Sequence, residues 1–118
     1  MVNKRKRNGL PLKTNWFYIL LALSGGEQHG YGIMLNVLSR TDGKVRLWPA
    51  TLYGALKRLI EEGLIEESDE RPAPELDDAR RRYYRLSQSG RQALDVERER
   101  LEGLVRALRM HRKIEVAR

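Results

Sequence analysis

Cysteine is absent from this chain of 118 residues, and histidine occurs only at His29 and His111. Without cysteine there is no disulfide, no thiolate metal site and no cysteine nucleophile. Two histidines without clustered carboxylates do not predict a metal site, and neither stands in a convincing catalytic triad. No glycine-rich loop follows a strand as phosphate-binding loops require. The sequence therefore argues against an enzyme and predicts neither a metal nor a cofactor.

Long hydrophobic runs are absent as well. The apolar stretch from Trp16 to Leu23 is far shorter than the ~20 residues that span a bilayer. The N-terminal residues MVNKRKRNGLPLKT are basic and lack the apolar core of a signal peptide. We therefore expect a cytoplasmic protein without a membrane-spanning segment.

Positive charge is in excess, with 23 lysines and arginines against 16 acidic residues and a formal net charge of +7. This surplus favours a polyanionic partner, although ribosomal, RNA-binding, DNA-binding and membrane-surface proteins all share it. Residues 1–13 contain no acidic residue. They form either a solvated basic tail or a tail that contacts nucleic acid phosphates, and the sequence leaves both open. The basic residues of this tail are Lys4, Arg5, Lys6, Arg7 and Lys13.

The first predicted helix is apolar nearly all round, with Thr14 and Asn15 as candidate caps. A chain of this length forms one small domain, which rarely covers a helix on every side. We therefore expect one face to pack on its own domain and another on a second subunit. The dimer-interface residues predicted on this helix are Trp16, Ile19, Leu20 and Leu23.

The second helix is predicted from about His29 to Ser39, and a short strand at Val45–Leu47. Gly30 and Gly32 weaken the first turn of this helix, so something other than helix propensity must favour them. Close approach to another helix and close approach to a phosphate are the two explanations.

The third helix begins at Pro49 and ends at Gly63, within the stretch WPATLYGALKRLIEEGLI. Its buried stripe is predicted at the helical spacing of Leu52, Ala55, Leu56, Leu59 and Ile60. Core packing does not explain the residues of the opposite face, which are polar or aromatic or, at one position, glycine. It carries Thr51, Tyr53, Gly54, Lys57 and Arg58.

Two strands follow, at 64–67 and 81–86, joined by the acidic and proline-rich loop SDERPAPELDDA. The last helix is predicted to start after Ser87 and to reach about Met110. Leucines seven residues apart predict a coiled-coil-like dimerisation seam on this helix, which Glu97 interrupts. The seam consists of Leu94, Leu101, Leu104, Val105 and Leu108.

Together these elements predict a mainly α protein with a small β-hairpin: a winged helix-turn-helix followed by a long C-terminal dimerisation helix. The expected units are the basic tail at 1–13, the DNA-binding domain at 14–86 and the dimerisation helix at 87–118. In this fold the exposed side of the third helix enters a DNA major groove, with Thr51, Tyr53, Gly54, Lys57 and Arg58 facing the duplex. Arg81 and Arg82 of the wing add phosphate or minor-groove contacts.

Three blocks, LLALSGGEQHGYGIMLNVL, WPATLYGALKRLIEEGLIEE and RRRYYRLSQSGRQAL, resemble the signature blocks of PadR-type transcriptional regulators from about Phe17 to Leu94. The resemblance implies a homodimeric repressor on a roughly palindromic double-stranded DNA operator, with the last helix of one subunit packed on the first helix of the other. It also implies that Pro49, Thr51, Tyr53 and Lys57 face the DNA. His29, Gly30 and Tyr31 would lie near the DNA backbone.

The chain departs from that family at two places. Trp48 stands where many members have a capping serine, so a serine–phosphate contact cannot be carried over, and Trp48 is expected to pack beneath the wing. The wing tip is acidic, so we expect it to stay off the phosphates while Arg80, Arg81 and Arg82 contact them. Some relatives release DNA on binding a small aromatic or lipophilic effector, and a pocket lined partly by Trp16 is a further hypothesis. The alternative function is a winged-helix protein-interaction module that uses its basic face on an acidic partner.

Overall fold

The computed structural model describes residues 11–68 and 82–117, with side chains as far as Arg112. Within these residues, four helices form one core, and a three-stranded antiparallel sheet in the order β1-β3-β2 lies at its edge. This arrangement confirms the mainly α winged helix-turn-helix. In chain order the elements are α1 (Thr14–Leu23), β1 (Gln28–His29), α2 (Gly30–Arg40), α3 (Pro49–Glu61), β2 (Ile65–Ser68), β3 (Tyr83–Leu86) and α4 (Gln88–Ala117).

Helix α1 lies at the centre of the core. Two expectations for it are wrong, one for its first residues and one for its dimer-interface side chains. It already includes Thr14 and Asn15, and its N-cap residue Lys13 makes no side-chain capping hydrogen bond. The side chains proposed for a dimer interface on this helix face inward, because α1 packs against α2, α3, β3 and α4 of the same chain. Its partly exposed apolar side chains are Phe17, Tyr18 and Leu21 instead. The buried four are Trp16, Ile19, Leu20 and Leu23.

The short strand predicted at Val45–Leu47 is wrong, since these residues have no regular structure. The third strand is β1, where Gln28 pairs with Tyr84 and His29 with Tyr83. Val45 and Leu47 instead contribute apolar side chains to the core. Helix α2 follows β1 at once, and its N-cap is His29, whose Nδ1 accepts a hydrogen bond from the Gly32 amide at 3.1 Å.

Helix α3 closely matches its sequence pattern. Pro49 occupies its first turn, and Gly63 beyond its end adopts a φ of +78°, a left-handed conformation that favours glycine. Leu52, Ala55, Leu56 and Leu59 are buried as predicted. Ile60 is an exception, because it is 37 % exposed at the edge of a groove beside the sheet.

The wing is the pair β2 and β3, in which Ile65 pairs with Leu86 and Ser68 with Tyr83. Tyr83 and Tyr84 are both buried, so the strand does not alternate strictly between core and solvent. Tyr84 belongs to the core and is 4 % exposed there. The acidic wing tip from Asp69 onward lies outside the described residues.

Helix α4 is 30 residues long and extends beyond the expected end at Met110. The Ser87 hydroxyl caps it by accepting a hydrogen bond from the Gly90 amide at 3.0 Å, as its position predicted. Leu94 and Leu101 are half-buried near α1, while the later seam residues face solvent. Leu104, Val105 and Leu108 are therefore an exposed apolar stripe on this chain.

Candidate nucleic-acid interface

The face of α3 that turns away from the core is open to solvent along its whole length. The buried residues of α3 occupy one side of the helix, and the residues at the positions between them in the sequence project outward from the other side. Tyr53 is half exposed, as predicted from its position. The exposed residues on this side are Pro49, Thr51, Tyr53, Gly54, Lys57 and Arg58.

A groove of about 640 Å³ runs beside this face, between α3, the start of α2 and the wing. Tyr53 crosses it and lies over Gly30, where an added Cβ would stand 2.8 Å from the tyrosine Cζ. Close approach to another helix therefore explains Gly30. The groove brings together several residues predicted to contact DNA, namely His29, Gly30, Tyr31, Tyr53, Lys57 and Arg82.

The first turn of α2 differs from the expectation in one respect. Tyr31 is exposed, whereas Gly30 is buried beneath Tyr53. His29 is half-buried, with its ring 5.4 Å from that of Tyr83 in an edge-to-face arrangement. No sequence signal pointed to the His29 cap, because histidine is not a typical N-cap residue.

On the wing, Arg82 is exposed and its Nη1 donates to Glu67 Oε1 at 3.0 Å. Tyr84 lines the same groove. Burial raises the pKa of Tyr84 above its ordinary value of 10.0, and the nearby Glu67 carboxylate raises it further. Arg80 and Arg81, the other arginines predicted on the wing, lie outside the described residues.

A second groove of about 460 Å³ lies on the other side of α3, against the start of α1. Lys13 and Asn15 face Thr51 and Arg58 across it. Gly54 forms part of its floor, and a Cβ added there would meet no atom of the described residues within 4 Å. Packing within the chain therefore does not require a glycine at this position, in contrast to Gly30.

Trp48 does not pack beneath the wing, so that expectation is wrong. Its side chain is 63 % exposed, with the Arg46 guanidinium 4.8 Å from the ring centroid. No side-chain capping hydrogen bond from Trp48 compensates the start of α3. Arg46 places an exposed cation beside the first turn of α3, and the sequence offered no periodic pattern that would have identified it.

The apolar residues of α4 continue into a cleft of about 590 Å³ between α1 and α4. Phe17 and Leu21 form one wall, and Leu94, Leu101 and Val105 form the other. Arginines and acidic residues of α4 edge the cleft. Trp16 belongs to the groove beside α3 instead, so it does not line this cleft.

Neither a metal site nor a membrane span stands out in the part of the chain that the structure describes. Residues 11–68 and 82–117 contain no group of three or more histidine, cysteine or acidic side chains placed to hold a metal. None of the helices described above combines the length and apolarity needed to cross a membrane.

The chain is similar in sequence and structure to known transcriptional regulators. Residues 19–96 match the Transcriptional regulator PadR-like family. A transcriptional regulator from Clostridium thermocellum is 26% identical with a TM-score of 0.67, over 88% of this chain and 94% of that one. A PadR family transcription regulator from Clostridium difficile has a TM-score of 0.68 at 23% identity, over 84% and 98% of the two chains.

Another similar structure is that of a protein bound to DNA. Bacillus subtilis PadR in complex with operator DNA is 27% identical, with a TM-score of 0.58, over 72% of this chain and 45% of that one. No curated protein sequence matches the chain.

Proposed function

The chain belongs to the PadR-like family of transcriptional regulators, and from this premise we propose that it is a homodimeric repressor of a palindromic operator. Helix α3 would enter the major groove, and the wing would contact the flanking backbone. Such a role places the protein in the cytoplasm, with double-stranded DNA as its partner. The family and the similar regulators point to a transcription factor and away from an enzyme.

The observation that carries this proposal is the uncovered face of α3. Thr51, Tyr53, Lys57 and Arg58 project from one side of a helix whose other side is anchored in the core. A helix held in this way can enter a major groove ~12 Å wide without disturbing the fold. Lys57 and Arg58 supply charge for phosphates or for the acceptor atoms of guanine.

The grooves on the two sides of α3 suggest where the DNA backbone would lie. Tyr31 and His29 flank one side, and Arg82 reaches the same groove from the wing. Arg80 and Arg81 precede Arg82 and remain candidates for the same backbone. Gly30 is buried beneath Tyr53, so in this proposal it positions the Tyr53 side chain and does not contact the DNA itself.

The exposed stripe of α4 supports the homodimer. Leu104 is 52 % exposed and Leu108 is 68 % exposed, which is unfavourable for a helix that remains alone in water. Phe17 and Leu21 extend the same apolar surface toward α1. Pairing of two copies across this surface would cover it and would link two α3 helices for two half-sites, about 34 Å apart.

Selection from random duplex DNA with the purified protein at moderate salt tests the proposal. An enriched inverted repeat with half-sites about one helical turn apart is the expected result. Salt-sensitive binding without any enriched motif would contradict the operator and would favour the alternative, a protein-interaction module with a basic face. An acidic protein partner would show no preference for DNA sequence.

An effector is a secondary proposal, carried by the cleft between α1 and α4. Its apolar walls of Phe17, Leu21 and Leu101 suit a small aromatic or lipophilic compound. A compound bound there would raise the thermal stability of the protein, and above its Kd the increase would grow with the logarithm of its concentration. A broad panel of such compounds that leaves both thermal stability and DNA affinity unchanged would rule the effector out.

A further inference from the structure

The segment between α2 and α3 has an exposed side that the proposed function has not used. Val45 and Leu47 pack their side chains against the core, so the residues that alternate with them project outward, although the segment has no regular structure. The exposed residues on this outer side are Lys44, Arg46 and Trp48. The alternation that predicted a strand therefore produces a row of outward side chains that leads directly into α3.

The backbone on both sides of Arg46 is anchored. The hydroxyl of Thr41, the C-cap residue of α2, accepts a hydrogen bond from the Val45 amide at 3.0 Å and holds the segment to the end of that helix. Leu47 is 2 % exposed and holds the other side in the core. Arg46 therefore has a fixed origin from which its side chain extends into solvent.

An aromatic ring, and not a carboxylate, holds the Arg46 guanidinium. Its Cζ lies over the Trp48 ring, 4.8 Å from the centroid, where a cation and a ring face attract each other. Among the described residues no acidic side chain forms an ion pair with Arg46, whereas Arg82 of the wing pairs with Glu67. Contact with the ring face occupies none of the guanidinium N–H donors, so they can serve an anion.

Arg46 lies where the DNA backbone passes when α3 occupies a major groove. It precedes Pro49, the first residue of α3, by three residues, which span at most ~11 Å. A major groove is ~12 Å wide, so the phosphates that border it lie ~6 Å from its midline. Recognition helices contact base edges with their N-terminal residues, so a side chain beside the start of α3 is level with those phosphates. The surrounding sequence is poor in negative charge, since Asp42 is the only acidic residue between Glu27 and Glu61.

We propose that Arg46 binds a DNA phosphate at the edge of the major groove read by α3, and that Trp48 is the positioning residue that holds its guanidinium. This inference rests on the proposed function, since it requires a duplex docked on α3. Phosphate suits the site because a guanidinium can donate two parallel N–H groups to its oxygens. A side chain already held by a ring loses less conformational entropy when it binds. The contact adds affinity and salt dependence but no base preference.

The first test is Arg46→Ala in the full chain, with the operator selected by the wild type as the probe. Loss of one phosphate contact should reduce the slope of log affinity against log salt concentration by about 0.9 in magnitude. The ratio of wild-type to variant affinity should therefore grow about three-fold when salt falls from about 0.3 M to about 0.1 M. Ethylation of one phosphate in each half-site should interfere with binding of the wild type but not of the variant. The selected operator should stay the same.

Two further variants control for charge. Arg46→Lys keeps the cation and should retain most of the salt slope. Arg112→Ala removes one exposed cation from the far part of α4, so the salt slope and the ethylation pattern should match those of the wild type. Arg46 and Trp48 are both exposed, so thermal unfolding of their variants should be nearly unchanged.

The second test is a double-mutant cycle between Trp48 and Arg46. Trp48→Ala should weaken operator binding about three-fold or more when Arg46 is present, and it should cause no further loss when residue 46 is already alanine. Trp48→Phe keeps an aromatic face and should bind nearly as tightly as the wild type. A purely structural role of Trp48 at the start of α3 would weaken binding equally in both backgrounds.

Two results would overturn this inference. An unchanged salt slope and ethylation pattern in Arg46→Ala would show that Arg46 does not contact a phosphate. Equal losses from Trp48→Ala with and without Arg46 would show that the ring does not act through the guanidinium. In both cases the wild type would still select an inverted repeat, whereas failure of the proposed function would abolish that selection itself.

Discussion

The ring of Tyr53 lies over Gly30 so closely that a Cβ at residue 30 would stand 2.8 Å from the tyrosine Cζ. Tyr53 belongs to the exposed face of α3, and Gly30 begins α2. The bare backbone at Gly30 therefore determines where a side chain proposed to contact DNA can lie. This contact joins the start of α2 to the middle of α3, two parts of the chain whose common position no local sequence pattern reveals.

Gly30→Ala should displace Tyr53 without unfolding the protein. The atoms in conflict are at the far end of an exposed tyrosine, which can turn into solvent. Alanine also favours a helix over glycine by up to about 1 kcal/mol. We expect nearly unchanged thermal stability together with operator affinity about as low as that of Tyr53→Ala, measured by fluorescence anisotropy. Wild-type affinity in Gly30→Ala would mean that the position of Tyr53 does not matter for binding.

Lys57→Ala should weaken operator binding by about 1 kcal/mol or more. If Lys57 contacts a phosphate, the slope of log affinity against log salt concentration should also fall in magnitude by about 1. Lys57 is exposed, so unfolding by denaturant should be nearly unchanged. Arg112→Ala is the matched control, because this exposed cation lies 24 residues along α4 from its start, or about 36 Å at 1.5 Å per residue. Equal losses in both variants would indicate a general effect of net charge.

Tyr84 should make the fold sensitive to alkaline pH. Burial, and then the Glu67 carboxylate, raise its pKa above the ordinary 10.0. Because the pKa is raised in the folded state, the folded protein binds the Tyr84 proton more tightly than the unfolded chain does. The stability that results is fully present below pH 10 and is lost as the pH rises through the pKa of the folded state. Thermal unfolding between pH 8 and about 11 should therefore show a smaller alkaline loss for Tyr84→Phe than for the wild type.

Tyr31→Phe is the control for this titration, since it removes a hydroxyl from an exposed ring that lines the same groove. It should show the same alkaline loss as the wild type. An identical loss in Tyr84→Phe would mean that the buried tyrosine hydroxyl does not contribute to the pH dependence.

Local sequence signals predicted the elements whose causes are local. Pro49, Gly63 and the apolar spacing between them located α3, and Ser87 located the start of α4. Strand β1 escaped prediction because two residues become a strand only through pairing with β3, more than fifty residues later. Val45–Leu47 alternates like a strand yet has no partner strand in the described part of the chain.

The candidate site was also predicted only in part. The exposed positions of α3 followed from helical spacing, whereas burial of Gly30 and exposure of Trp48 depend on tertiary contacts. The apolar character of α1 indicated a second subunit, but α1 is largely covered by its own chain. The surface left for a partner is therefore on α4 and on the outer side of α1.

Leu104→Glu should break the homodimer and with it the tight operator binding. Leu104 is 52 % exposed on this chain, so a carboxylate there costs the isolated subunit little, but it would be buried unpaired in an α4–α4 interface. Two half-sites bound by one linked pair of α3 helices require an intact dimer. Sedimentation equilibrium should therefore show a monomer with an unchanged circular dichroism spectrum. Operator affinity should fall at least about ten-fold, which corresponds to 1.4 kcal/mol.

Val96→Glu provides the matched control for this change. Val96 is also an exposed apolar residue of α4, 45 % exposed, but at 3.6 residues per turn it lies about 80° around the helix from Leu104 and about 120° to 180° from the other four seam residues. The same new charge on this other side should leave both dimer and operator binding intact. Loss of the dimer in both variants would indicate general damage to α4, and a dimer that survives Leu104→Glu would place the subunit interface elsewhere. The two variants together therefore assign the interface to one side of α4 rather than to the helix as a whole.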